Sequence, residues 1–206
     1  LANCGDACGG QIKYAINVRY SNAEDYGMAI GASYVTPVTP PCIIGDLNGD
    51  GGWNVLDIVL LANCVIADNC DDASDDGCAA DTNGDGGWNV LDIVTLVNCV
   101  LAENCGGRVD DASHSKLTID DNMVSIEADG FIGGVQMTLS HGDNFSIEMT
   151  DRALFADYLT TGNETRLLVI TPETDKLFSY SGDFEIIEII VANTQYEVSV
   201  DLPLAT

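Results

Sequence analysis

The chain has 206 residues, 46% of them apolar, which is room for one large domain or two to three small ones with at least one buried core. Its 33 acidic residues face 7 basic ones, for a formal net charge of −26. Such a surface repels phosphate backbones and anionic headgroups, which argues against nucleic acid and membrane surfaces as partners. Calcium is the natural counter-charge, because hard carboxylate oxygens suit a hard cation.

No apolar run reaches the roughly 18 residues a membrane span needs. The eight cysteines are Cys4, Cys8, Cys42, Cys64, Cys70, Cys78, Cys99 and Cys105, and none forms a C-x-x-C pair. An even count without zinc spacing reads as disulfides in an oxidising compartment. The chain opens on Leu1 with no signal-peptide pattern, so a secreted, processed protein outside the cell or on its surface is expected.

Three stretches differ in texture. Residues 1–41 form an N-terminal β segment and a linker. Within them Ile12, Tyr14, Ile16, Val18 and Tyr20 alternate with Gln11, Lys13, Ala15, Asn17 and Arg19, a strict period of two that predicts a strand. A second, weaker strand is expected over 28–35, and VTPVTPP closes the stretch as a proline-rich linker. One or two strands do not stand alone in water, so this segment needs a sheet to join.

Residues 42–106 are a repeat. Aligned at an offset of 35, residues 45–70 and 80–105 share 20 of 26 identities, the mark of one supersecondary unit used twice. The first copy spaces Asp46, Asn48, Asp50, Gly51, Gly52, Asn54 and Asp57 as positions 1, 3, 5, 6, 7, 9 and 12 of a loop. The second spaces Asp81, Asn83, Asp85, Gly86, Gly87, Asn89 and Asp92 in the same way. This is the spacing of an EF-hand calcium loop. Oxygens at 1, 3 and 5 converge as the loop coils, the glycine at 6 permits the sharp turn, a backbone carbonyl at 7 adds a donor, and the carboxylate at 12 closes the shell. Asn54 and Asn89 either reach the ion through water or cap the following helix.

Prolines before the first loop and an aperiodic stretch before the second disfavour a preceding helix. A helix is expected after each loop, with Val55, Leu56, Val59 and Ile66 near one face and Ile58, Leu61 and Val65 near another. Its counterpart places Val90, Leu91, Val94 and Leu101 with Ile93, Leu96 and Val100. Loop then helix, twice, with Asp at position 12, resembles the type I dockerin module. The resemblance implies two calcium ions, one on Asp46, Asn48, Asp50, Gly52 and Asp57, the other on Asp81, Asn83, Asp85, Gly87 and Asp92. It implies two helices packed antiparallel and a cohesin as partner. In this family positions 10 and 11 commonly carry partner recognition. Here they are the apolar Val55 with Leu56 and Val90 with Leu91, which are expected to be buried against the other helix or another part of the chain. Trp53 and Trp88 are expected to be packing residues. By repeat symmetry Cys64–Cys70 and Cys99–Cys105 are expected as local bridges. Cys4–Cys8 with Cys42–Cys78 is one solution for the rest.

Residues 107–206 read as short strands at 116–120, 123–128, 133–140, 145–149, 166–171, 184–192 and 196–202, with 153–159 a short helix or a further strand. The expected fold is therefore α+β: a two-helix calcium-binding dockerin-like module, an antiparallel β-sandwich and an N-terminal extended β segment. The stretches GGVQMTLSHGDNFSIEMTD and LFSYSGDFEIIEIIVAN resemble cohesin-like sandwiches and the final sandwich of bacterial surface proteins. Asn144 and Asn163 open glycosylation sequons at predicted turns, and Thr36 and Thr39 are O-glycosylation candidates. His114 and His141 are the only histidines and sit in no catalytic motif, so no enzymatic activity is expected. Residues 1–20 sum to +1 and the remainder to −27. That asymmetry suits addition of the N-terminal strand to an acidic sheet edge, either of its own sandwich or of a neighbour's, the latter giving a head-to-tail filament of identical copies. The alternative is an adaptor that binds a cohesin.

Overall fold

The computed structural model describes residues 42–73, 75–101 and 107–203. The strand expected at 11–20, with Ile12, Tyr14, Ile16, Val18 and Tyr20, lies outside the described residues, as do Cys4, Cys8, Thr36, Thr39 and Cys105.

Each loop runs straight into a helix, α1 at Val55–Ala67 and α3 at Val90–Leu101. The start of α1 is fixed by a reciprocal cap. Extended Asn54 accepts from the Leu56 N–H through its side chain, while the Asp57 carboxylate accepts from the Asn54 N–H. Asp68, in the left-handed region, ends it. Between the repeats lie α2 at Cys70–Ala73 and a 3-10 turn at Asp75–Ala80, where the sequence shows no helical period. Among the described residues of these short pieces, Cys70, Gly77, Ala79 and Ala80 are buried without a helical period. The disulfides Cys64–Cys70 and Cys42–Cys78 tie them down instead. Cys99 is also disulfide-bonded, to a partner outside the described residues.

The rest is a two-sheet sandwich. Its strands are β1 (His114–Asp120), β2 (Met123–Ala128), β3 (Gly134–His141), β4 (Ser146–Met149), β5 (Ala153–Thr161), β6 (Glu164–Pro172), β7 (Lys176–Ser181), β8 (Phe184–Ala192) and β9 (Ser199–Asp201). One sheet has the order β4-β7-β2-β1-β9 and the other β5-β6-β3-β8. Residues 153–161 are a strand, not a helix. β7 escaped the sequence reading because Leu177 and Phe178 are both buried, which breaks the period of two. The last strand is shorter than expected and pairs parallel to β1, so the sandwich is not antiparallel throughout. Leu202 and Pro203 follow it outside the ladder, since proline offers no N–H to a strand.

Two cores share β6. Between the sheets, Leu117, Val124, Val135, Met137, Leu139, Leu167, Leu177 and Phe178 are buried. On the outer face of the four-stranded sheet, Leu168, Ile170 and Ala192 pack with Ile58, Leu61 and Val65 of α1 and Val90, Ile93 and Leu96 of α3. The helices therefore form a third layer on the sandwich. β6 is covered on both faces, which explains its unbroken run LLVI at 167–170.

Candidate functional site: two acidic loops and the helices they launch

In the first loop the chain folds back on its own side chains. Asp46 accepts from the amides of Asp50 and Gly51, Asn48 from Asp50, and Asp50 from Gly52. Asp57, fully buried, accepts from the amides of Leu47, Asn48 and Asn54. The second loop repeats the plan. Asp81 accepts from Gly84, Asp85 and Gly86, Asn83 from Asp85, Asp85 from Gly87, and buried Asp92 from Asn83 and Asn89. The position-6 glycines hold φ of 91° at Gly51 and 86° at Gly86, a region side chains avoid.

Among the described residues no three acidic, histidine or cysteine side chains converge on one metal position as they stand. The loop carboxylates are turned to loop amides instead. The donor set nonetheless fits a hard cation. Each loop gathers three aspartates and an asparagine, and one aspartate is fully buried with no cationic side chain bonded to it. Burial pushes the Asp92 carboxyl up to about 6, against the amides of Asn89 and Asn83. The charges of Asp85 and Asp81 add to the push. A divalent cation at this point relieves that repulsion, and oxygen ligands are what calcium takes. At the exposed Asp50, hydrogen bonds from Asn48, Gly52 and Asn54 hold the carboxyl below its usual range. Asn54 and Asn89 both cap their helices, bonding to the amides of Leu56 and Leu91.

The two helices present equivalent residues to different surroundings. Val90 and Val94 are buried on the sandwich, over Gly133 and Gly134 of the β3 strand and the turn before it. A Cβ on Gly134 would come within 2.5 Å of Val90, and one on Gly133 within 2.3 Å of Val94. The Val90 N–H donates to the Gln136 side chain on β3. In the first repeat Val55 is 54% exposed and Leu56 63%, with Val59, Leu60, Ile43, Ile44 and Trp53 also exposed. The expectation that all four recognition positions are buried therefore fails at Val55 and Leu56. There is one such sheet face, and the second repeat occupies the glycine step. Trp88 packs edge-on over Gly77 and donates to its carbonyl. Trp53 donates to the Ile44 carbonyl while half exposed.

Three contributors were missed from sequence. Thr82 donates to the Asp92 carbonyl. Gln136 receives the first amide of α3. Arg166 on β6 reaches the end of α1, 3.2 Å from the Val65 carbonyl and 2.9 Å from Asp68. The available signal for Gln136 was a long polar side chain between Val135 and Met137, at a position the strand buries. His114 bonds to Ser199 and Asp201, and His141 to Thr165. Both sit on the sandwich surface. Asn144 and Asn163 are exposed next to turns.

Residues 44–101 match the family model of the dockerin type I domain. Type I dockerin domains bind calcium as a class, and this chain carries one, followed by a β-sandwich. Among solved structures the chain is similar to a non-cellulosomal cohesin from the hyperthermophilic archaeon Archaeoglobus fulgidus. The identity is 16% over 45% of this chain and 82% of that one, with a TM-score of 0.29. It is also similar to a cohesin module from a Clostridium perfringens ATCC13124 family 33 glycoside hydrolase, at 11% identity over 45% and 99% of the two chains and a TM-score of 0.30. No curated protein matches the chain.

Proposed function

We propose that the protein is a non-catalytic, extracellular structural subunit, braced by two calcium ions and assembled head-to-tail into a filament. One ion is held by Asp46, Asn48, Asp50, Asp57 and the Gly52 carbonyl, the other by Asp81, Asn83, Asp85, Asp92 and the Gly87 carbonyl. When bound, calcium neutralises the clustered carboxylates and fixes each loop to its helix. The observation that carries the reading is the docking of α3 on the chain's own sheet. A dockerin whose second recognition face is engaged internally acts as a brace between loop and sandwich rather than as a free plug. Assembly proceeds by addition of strand 11–20 to a neighbour's sandwich, a heterologous contact that propagates. Electron microscopy of the protein with calcium and with chelator tests this. Filaments that need calcium are expected, and monomers under both conditions would refute the reading.

A second reading is supported by a specific feature. The exposed Val55, Leu56, Val59 and Leu60 of α1 form an uncharged apolar face on a strongly acidic protein. An adaptor would use that face to bind a cohesin. Pull-down with purified type I cohesins, lost on Leu56→Asp, would favour it.

A further inference from the structure

The dipeptide Asn-Gly occurs twice in the chain, as Asn48–Gly49 and Asn83–Gly84, at positions 3 and 4 of the two loops. Both asparagines and both glycines are exposed. The glycines hold φ of 72° and 75°, and a Cβ added to either would meet nothing within 4 Å. Each asparagine side chain is therefore followed by a backbone nitrogen that no side chain or neighbouring element screens.

Within each loop the asparagine amide is held at both ends. The Asp50 N–H donates to Asn48 Oδ1 at 2.8 Å, and Asn48 Nδ2 donates to Asp50 Oδ2 at 2.9 Å. The twin bonds between Asp85 and Asn83 are 2.9 and 2.8 Å. A backbone donor on Oδ1 polarises the side-chain carbonyl and stabilises the oxyanion that forms when a nucleophile adds to Cγ. The loops differ at the nucleophile. The Gly84 N–H donates to Asp81 Oδ1 at 2.8 Å. Asp46, the counterpart of Asp81, takes the amides of Asp50 and Gly51, and among the described residues the Gly49 N–H has no acceptor.

We propose that Asn48 is a self-modifying site, converted by its own neighbour to aspartate and isoaspartate faster than its twin Asn83. The Gly49 nitrogen gives its proton to solvent base and bonds to Asn48 Cγ. The bond from Cγ to Nδ2 breaks, and that nitrogen leaves as ammonia with a proton from water. The product is a five-membered succinimide. Water then opens the ring, at Cγ to give aspartate or at the main-chain carbonyl to give isoaspartate. The net change is one water in and one ammonia out. At Asn83 the same attack has first to break the bond from Gly84 to Asp81, which slows it. Aspartate adds a fourth carboxylate to a loop that already holds Asp46, Asp50 and Asp57. Isoaspartate puts an extra carbon into the backbone between Asp46 and the Asp50 amide it binds. Two loops spelled alike thus age apart.

The test incubates the full chain in mildly alkaline buffer, with calcium and in parallel with chelator. Hydrogen exchange identifies the condition in which residues 42–101 are folded, and rates are compared there, so the outcome does not depend on the calcium or filament readings. Timed samples are digested in acid and weighed by mass spectrometry. Leu47 and Thr82 tell the two loop peptides apart. Replacement of NH2 by OH marks conversion, and labelling by an isoaspartyl methyltransferase marks the isoaspartate share. Conversion at Asn48 is expected to run at least about threefold faster than at Asn83, the factor for one modest net hydrogen bond. Asn122, Asn144 and Asn163, exposed but each followed by a residue with a side chain, are expected to stay intact over the same time. In urea the two loops are expected to convert at one rate. No conversion at Asn48, or equal rates in the folded chain, would overturn the proposal. So would a difference that persists in urea, which would assign it to the neighbours Leu47 and Thr82 rather than to the fold.

Discussion

Asp57 and Asp92 show what single residues do here. Each is a buried carboxylate that ties the start of its loop to the start of its helix through backbone amides. Replacing either with Ala strands those donors, at about 1–3 kcal/mol for the unsatisfied groups, and removes the proposed position-12 ligand. Calorimetric calcium titration of Asp57→Ala or Asp92→Ala is expected to lose one of two binding events and keep the other. Asp129 is a residue of the sandwich alone. The Ser113 hydroxyl, with the amides of His114 and Ser113, pulls its carboxyl down to about 2 from 3.8. Because the folded value is depressed, its contribution to stability is complete above about pH 4 and is lost as the pH falls towards 2. Urea midpoints measured across that window are expected to fall for the native chain and to flatten for Asp129→Asn.

The elements divide into those a sequence exposes and those it hides. The loops were legible because acids and glycines recur at one spacing in both copies, and each loop folds back on its own carboxylates. The helices were legible because apolar residues recur at their period. Which helix face is covered was not legible, since repeat one and repeat two carry the same letters and only α3 sits over Gly133 and Gly134. The twin positions separate the cases. Val90→Asp buries a charge over Gly134 and is expected to destabilise the fold by about 3 kcal/mol or more. Val55→Asp, at an exposed site, is expected to stay within about 0.5 kcal/mol. Paired thermal melts check both. Arg166 gives α1 a cation at its C-terminal end, a long-range contact that no local pattern announces. Arg166→Ala is expected to cost about 1 kcal/mol and to speed exchange at the last turn of α1.

At the scale of the molecule, the calcium loops, the helices and the four-stranded sheet form one chain of support. Asp92 sits in the first turn of the helix whose Val90 and Val94 cover the sheet, so disorder in the loop uncovers Leu168, Ile170 and Ala192. Metal binding energy in such small modules is folding energy. Chelation is therefore expected to raise the binding of a hydrophobic dye and to speed exchange across residues 42–101, with the inter-sheet core of β3 and β6 the last to open. The sandwich was legible as strands but not in its sheet order. β9 ends at Asp201, and its parallel pairing with β1 is a long-range choice that sequence alone does not state. The most direct measurement is a cryo-electron microscopy map of the calcium-loaded assembly. The account predicts, in each sandwich, an added strand that traces to Cys42 of a neighbouring copy. A map with no such strand, or with one supplied by the same copy's own N-terminal segment, would contradict it.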